Sequence, residues 1–318
     1  MILKTKLRGK VYEFKSLREV MGKANEEKSG DNLAGVGAES AEERVAAKAV
    51  LQHITLKDLY ETPAVPYEQD EVTRIIIDGI DPIIYASIKN WTVAELREWI
   101  LDVNTTGQMI RTVSKGLTSE MVAAVCKLMT NLDLIYAAKK IRVSAHCNTT
   151  IGLDGTFSSR LQPNHTTDDP KGIMASVMEG LSLGCGDAVI GLNPVDDSVE
   201  SVARILKSFD DFKNKWEVPT QICVLAHVTT QMEACEKHGA PIDLLFQSIA
   251  GSQKGNEAFG LTAQMLDEGY QMMNEKGTSA GPNYLYFETG QGSELSSEAH
   301  NGWDQVTMEA RCYGFARR

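Results

Sequence analysis

The sequence has no Cys-x-x-Cys pair. Its six cysteines, Cys126, Cys147, Cys185, Cys223, Cys235 and Cys312, are scattered, several of them in apolar runs. That spacing argues against structural zinc, and a chain of 318 residues needs no disulfide framework. A reducing compartment is expected, with the thiols acting as small hydrophobes. No apolar run approaches the roughly 18–20 residues of a membrane span. "MILKTKLRGKVYEF" lacks the long apolar core of a secretory signal. Basic charge is also short, with 32 Lys and Arg against 43 Asp and Glu and a net charge of −11. A nucleic-acid backbone is therefore not the expected partner, because phosphate binding needs clustered Lys and Arg. "SGDNLAGVGAES" (29–40) is glycine-rich, but no Gly-Lys-Ser/Thr follows, so it reads as a connector and not a phosphate loop. These absences leave a soluble, cytoplasmic protein without membrane or nucleic-acid business.

What is present divides the chain in two. Hydrophobic residues make up 42%, ample for a large core. Residues 1–145 read as a mainly helical N-terminal domain, with a small hairpin around "KVYEF". Ser40 and Glu43, and again Thr92 and Glu95, have capping-box spacing. "LTSEMVAAVCKLMTNLDLIYAAKK" has helical apolar spacing and ends on a lysine pair, favourable near a helix C-terminus. From 146 to 318 short apolar runs alternate with amphipathic helices. The runs are "TTIGLDGTF", "DAVIGLNPV", "QICVLAHV", "DLLFQSIAG" and "NYLYFETG". Most do not alternate cleanly, as parallel strands buried on both faces do not. One helix is expected after Asp169-Pro170, a cap followed by a first-turn proline. Repeated strand–helix units predict an α/β fold with a parallel sheet.

Each expected strand ends in polar groups: Arg160, Gln162 and Asn164; Asn193; His227, Thr229 and Thr230; Gln247 and Ser248; Glu288. In an α/β barrel such ends converge on one mouth, where active sites form. The set joins a carboxylate, a guanidinium and amides that both donate and accept, which suits a small molecule with an amine and a hydroxyl. It does not suit covalent catalysis: no Gly-x-Ser-x-Gly elbow is present, and no lysine falls at a strand end to form a Schiff base. A cofactor is therefore expected to carry the hard chemistry. Gly290 and Gly292, just after Glu288, are expected to let a flat ligand approach the backbone. Plainer readings stand beside these. Arg160 could bridge to Asp154 or Asp169, Asn193-Pro194 could be a simple turn, and His227 could be a satisfied core histidine. Glu288 is hardest to explain away, since an unpaired buried carboxylate is costly.

Longer stretches carry a resemblance. "NTTIGLDGTFSSRLQPN", "GDAVIGLNPV", "PTQICVLAHVTTQ", "LLFQSIAGSQKG" and "YLYFETGQGSELS" are similar to the heavy (large) subunit of ethanolamine ammonia-lyase. So are "ANEEKSGDNLAGVGAESAEERVAAK" and "KGLTSEMVAAVCKLM". The resemblance implies a (β/α)8 TIM-barrel catalytic domain and an adenosylcobalamin-dependent radical lyase that converts ethanolamine to acetaldehyde and ammonia. It implies that Arg160 and Asn193 contact the substrate hydroxyl, that Gln162 holds the amine, and that Glu288 bridges both. Ser248 and Phe259 would line the adenosyl region; no protein-bound metal site is implied. A small subunit, a hetero-oligomer and association with a bacterial microcompartment are implied partners and setting. The family chain is longer and supplies a second carboxylate. Five strand–helix units do not close an eight-stranded barrel, so an incomplete barrel and doubtful activity of this chain alone are expected. The alternatives are an inactive remnant that only binds a subunit, and a lyase for a related amino alcohol.

Overall fold

Arg8 and Gly9 both take positive φ, 48° and 86°, and this two-residue turn closes an antiparallel hairpin of β1 (Lys4–Leu7) and β2 (Lys10–Glu13). The hairpin is the one expected around "KVYEF". The computed structural model describes residues 1–290 and 298–318. Beyond the hairpin, side-chain caps set the helix starts. Thr92 and Glu95 satisfy each other's backbone N–H groups at the head of helix Val93–Leu101. Ser40 accepts from the Glu43 N–H at 3.1 Å, but the Glu43 carboxylate turns to the Glu39 N–H, so only half of that expected box forms. The helical stretch expected over 117–140 is two helices, Ser119–Leu128 and Asn131–Lys140. Thr130 and Asp133 form their own capping box, which starts the second helix and ends the first.

The stretch 29–40 is more than a connector. It opens with the short helix Ser29–Leu33, and Asp31 within it is buried. Asp31 accepts from Asn25 Nδ2 at 2.8 Å and from the Gln305 N–H at 2.9 Å, while burial pushes its carboxyl above the usual range.

Two units emerge from the chain: Met1–Arg142 with Ile249–Gly260 and Thr289–Arg318, and Val143–Ser248 with Leu261–Glu288. The expected second domain, 146–318, thus gives two of its segments to the helical unit. The physical reason is a buried ionic knot. Arg311, on helix Gln305–Ala316, is fully buried and donates to Asp70 Oδ2 (2.9 Å), Glu120 Oε1 (2.7 Å), Thr73 Oγ1 (2.8 Å) and the Gly251 carbonyl (2.6 Å). Asp70 also caps helix Glu71–Asp78 and takes the Gln253 N–H. Lys127 makes a second buried tie, to Asp304 at 2.7 Å and Thr307 at 2.9 Å. Around these ties Met21, Leu51, Leu56, Leu96, Met121, Trp303 and Met308 pack as one apolar core.

The other unit is mixed α/β, the coarse class expected. β3 (Ala145–His146) and β4 (Thr150–Ile151) pair antiparallel. β5 (Arg160–Leu161), β6 (Val189–Leu192) and β7 (Ile222–Val224) form a parallel sheet, and β8 (Leu245–Ile249) pairs with β9 (Leu285–Thr289). Helices Pro170–Ser182, Val199–Lys215, Val228–His238 and Ala263–Lys276 intervene. Asp169 caps the first of them by accepting the Gly172 N–H at 3.0 Å. β6 and β7 are buried at every residue, as expected for strands covered on both faces.

One strand was misplaced by the sequence pattern. Of "TTIGLDGTF" only Thr150–Ile151 is extended and paired; Gly152 and Gly155 take positive φ and break the run, and Phe157 is fully exposed. The strand that joins β6 starts at Arg160. The N-terminal ends of the strands are locked by buried polar groups. Asp243 accepts from Lys213 Nζ (2.6 Å), the Ile222 N–H (3.0 Å) and Thr278 Oγ1 (2.8 Å). Gln221 accepts from the N–H groups of Asn148 and Thr149 and donates to the Ala188 carbonyl. Among the described residues no helix is long and apolar enough to cross a membrane.

Candidate active site

Residues paired across a parallel ladder point to the same face. The pairs Arg160–Val189 and Gly191–Cys223 therefore share one face of β5, β6 and β7. Cys147, Val189, Cys223, Leu244 and Phe246 pack together there, with Leu225 and Tyr286 against them. Phe246 meets Tyr286 edge to face, with ring centroids 5.5 Å apart. On this apolar floor the polar groups gather.

Arg160 is the hub. Its Nη1 donates to the Tyr286 hydroxyl at 2.6 Å and to Glu288 Oε1 in a close ion pair, and its Nη2 donates to Gln162 Oε1 at 2.7 Å. The Tyr286 hydroxyl in turn lies 2.9 Å from Glu288 Oε1. The guanidinium also sits over the Tyr286 ring, 5.7 Å from its centroid. So the structural bridge considered for Arg160 exists, but its partner is Glu288 and neither Asp154 nor Asp169. Burial works against the Arg160 cation, yet Tyr286 and Glu288 outweigh it and raise its pKa. Burial, then the hydrogen bond to Glu288, pushes the Tyr286 phenol up to about 12.

Gly191 makes room for this arrangement. A Cβ there would stand 3.5 Å from Arg160 Nε and 3.3 Å from Leu225 Cδ1. Arg160 Nε, lying against that glycine, is buried and has no hydrogen-bond partner among the described residues.

Asn193 is exposed just past β6, on a loop held from the side. Its N–H donates to Asn164 Oδ1 at 2.9 Å. Asp168, buried and at φ 50°, takes the N–H groups of Val195 and Asp196, each at 2.8 Å. The Asn193-Pro194 turn is therefore a built loop and leaves the side-chain amide at the surface.

Other polar residues near the strand ends turn out to be structural. His165 Nδ1 accepts from the N–H groups of Thr167 and Asp169, and its ring packs where a Gly172 Cβ would be. His227 caps helix Val228–His238 through Nδ1, which accepts from the Thr229 N–H; its Nε2 is buried without a partner among the described residues. It is thus half satisfied, not the fully satisfied core histidine of the plainer reading. Gln247 accepts from the Val228 N–H and donates to the Ser248 carbonyl. Ser248 itself is half-buried on β8.

Phe259 belongs to the helical unit, where a Cβ on Gly290 would lie 2.7 Å from its Cζ and 3.2 Å from the Ile249 carbonyl oxygen. The missing Cβ of Gly290 accommodates that ring, so the space expected for a flat ligand is filled by protein. Gly292 lies outside the described residues. The helical unit also has a groove of about 740 Å³ lined by Glu71, Arg74, Asp78, Ser119, Tyr313 and Arg317, among others, with none of the strand-end groups.

Sequence reasoning missed Tyr286. The available signal was its position two residues before Glu288 on an extended run, where a period of two places both side chains on one face. Gly191, two residues before Asn193, carried the same signal.

The chemistry of the set is selective. A cation, a carboxylate, a phenol and two amides can hold a small polar molecule by hydrogen bonds. Among the described residues no activated nucleophile accompanies them: the Cys223 thiol below is fully buried, and burial pushes its pKa up. Among the described residues no group of three or more His, Cys, Asp and Glu side chains is placed to hold a metal ion.

Comparison with known proteins supplies the family. The family model "Ethanolamine ammonia lyase large subunit (EutB)" matches residues 12–318. The chain is 56% identical over 317 residues to the ethanolamine ammonia-lyase large subunit of Escherichia coli (strain K12), and 55% identical to that of Salmonella typhimurium (strain LT2). Each alignment covers 100% of this chain and 70% of the relative. With an identity this high along its whole length, the chain belongs to the family of ethanolamine ammonia-lyase large subunits, which are carbon–nitrogen lyases.

Proposed function

We propose that the chain is the substrate-binding large chain of an adenosylcobalamin-dependent ethanolamine ammonia-lyase, which turns protonated ethanolamine into acetaldehyde and ammonium. The observation that supports it most is the bonded chain Gln162–Arg160–Glu288, with Asn193 exposed just past β6. Ethanolamine offers an ammonium, which needs acceptors, and a hydroxyl, which needs both a donor and an acceptor. Glu288 accepts from the ammonium and from the hydroxyl proton. Arg160 and Asn193 donate to the hydroxyl oxygen, and the Gln162 carbonyl oxygen takes a further ammonium proton. Glu288 is then the group placed to move a proton between the two ends of the substrate. The strands carrying these groups are proposed to be part of a (β/α)8 barrel.

The donor set leaves the hard step to a cofactor. The reaction must break a C–H bond at the hydroxyl-bearing carbon, and neither a carboxylate nor a guanidinium can take hydrogen from so weakly acidic a carbon. When bound, adenosylcobalamin supplies the radical that does so. The protein's part is to bind, orient and shield the substrate. Ser248 is proposed to face the adenosyl group, and so is Phe259 on the strength of the family pattern. A small subunit is the proposed partner, and a bacterial microcompartment the proposed setting.

The test is acetaldehyde release from ethanolamine by the full-length large chain assembled with small subunit and adenosylcobalamin. Glu288→Gln should reduce turnover by about 100-fold or more, of the order seen when a positioned acid–base group is removed, with an unchanged melting temperature. Undiminished acetaldehyde production by that variant would overturn the assignment.

A further inference from the structure

Arg160 can only donate hydrogen bonds, and it donates to the Tyr286 hydroxyl at 2.6 Å. The single Tyr286 proton is therefore free to go to Glu288 Oε1, 2.9 Å away. The direction of the network is fixed: guanidinium to phenol, phenol to carboxylate. Both contacts to Glu288, from Arg160 and from Tyr286, fall on the same oxygen, Oε1.

That single-oxygen geometry is unusual for its partners. An arginine beside a carboxylate commonly closes a two-pronged pair, two parallel N–H groups to two oxygens. Here the Tyr286 hydroxyl and Glu288 Oε1 take both N–H groups of Nη1, and Gln162 takes one of the two on Nη2 at 2.7 Å. The Tyr286 ring cannot swing away easily, because Phe246 meets it edge to face and the apolar floor half-buries it. The phenol also stays protonated across the ordinary pH range, since burial and Glu288 raise its pKa.

We propose that Tyr286 is a positioning residue of the amino-alcohol site: it wedges between Arg160 and Glu288, confines their ion pair to Oε1, and so keeps Glu288 Oε2 open for the substrate ammonium. This rests on the ethanolamine reading above. It explains how a site can hold a cation and an anion in contact and still receive a cationic substrate. Without the wedge the two side chains would satisfy each other fully, and ethanolamine would have to break a two-pronged pair to enter.

The test is Tyr286→Phe in the full-length large chain assembled with its small subunit. The substitution keeps the ring and its contact with Phe246, so folding is retained. Calorimetric titration with ethanolamine should show affinity weakened by about tenfold or more, the cost of losing about one charged hydrogen bond. The kcat with adenosylcobalamin should stay within about threefold, since the loss falls on binding. A crystal structure of the variant should show Arg160 engaging both Glu288 oxygens. Affinity within twofold of the parent, or an Arg160–Glu288 contact still confined to Oε1, would overturn the proposal. If the parent enzyme neither binds nor turns over ethanolamine, the functional reading fails by itself, and the crystal structure still decides what Tyr286 does.

Discussion

The Asn193 backbone N–H donates to the side-chain oxygen of Asn164 at 2.9 Å, so the loop after β5 holds the loop after β6 in place. Asp168 reinforces the same tie with two hydrogen bonds to backbone N–H groups. Asp168→Ala would leave both N–H groups without their acceptor and put alanine at φ 50°. The expected loss is about 1–3 kcal/mol of stability, from the lost acceptor of part-buried donors plus backbone strain. Asp168→Asn should cost clearly less, because asparagine tolerates positive φ and keeps one acceptor. Urea unfolding of both variants checks the order.

Gly191 bears on Arg160 directly. Gly191→Ala adds a methyl at ordinary contact distance from Arg160 Nε and slightly tight against the Leu225 tip, which can give. The fold should survive with at most about 1 kcal/mol lost. Gly191→Val has no such room and must push the guanidinium off Tyr286 and Glu288. Its kcat/KM for ethanolamine should fall at least about tenfold further than that of the alanine variant, as expected when a binding group is displaced.

Arg311 anchors the helical unit. It neutralises Asp70 and Glu120 where all three are buried. Arg311→Met would leave two buried carboxylates facing each other without a cation. The expected loss is about 3–5 kcal/mol, read as a drop in the urea midpoint. Adding Asp70→Asn and Glu120→Gln to Arg311→Met should restore part of it, because charge burial and not packing is the main cost.

Alkaline stability should reflect three tyrosines. Tyr85, Tyr286 and Tyr313 are each raised from 10.0 to about 12, with burial as the largest cause. Between those values the folded chain keeps protons that the unfolded chain has lost. The stabilisation is therefore complete below pH 10 and declines as pH rises toward 12. Urea midpoints measured from pH 9 to 11.5 should fall in this window, and Tyr286→Phe should flatten the fall.

Much of the site could be read directly. Arg160, Gln162, Asn193 and Glu288 stand out as polar endings of apolar runs, and the fold brings three of them into one hydrogen-bonded chain. What the sequence hid was partnership. Arg160 has nearer acidic residues at Asp154 and Asp169, yet it pairs with Glu288, 128 residues away. Their strands lie in different sheets, so only tertiary packing decides that. "TTIGLDGTF" misled for the opposite reason: its apolar residues look like a strand, but Gly152 and Gly155 turn the backbone and no neighbouring strand rescues it. Likewise Thr130 divided an expected helix through a cap that the apolar spacing did not foretell.

The knot at Arg311 has a consequence for the chain as it is made. Asp70 and Glu120 leave the ribosome long before their counter-charge, since Arg311 lies 241 residues after the first and 191 after the second. At typical elongation rates that interval is on the order of ten to fifty seconds. Throughout it, the helices that carry the two acids can form their caps and apolar contacts but cannot close around their own interior. The helical unit, begun first, therefore closes only after the strands between Glu120 and Arg311 have been delivered.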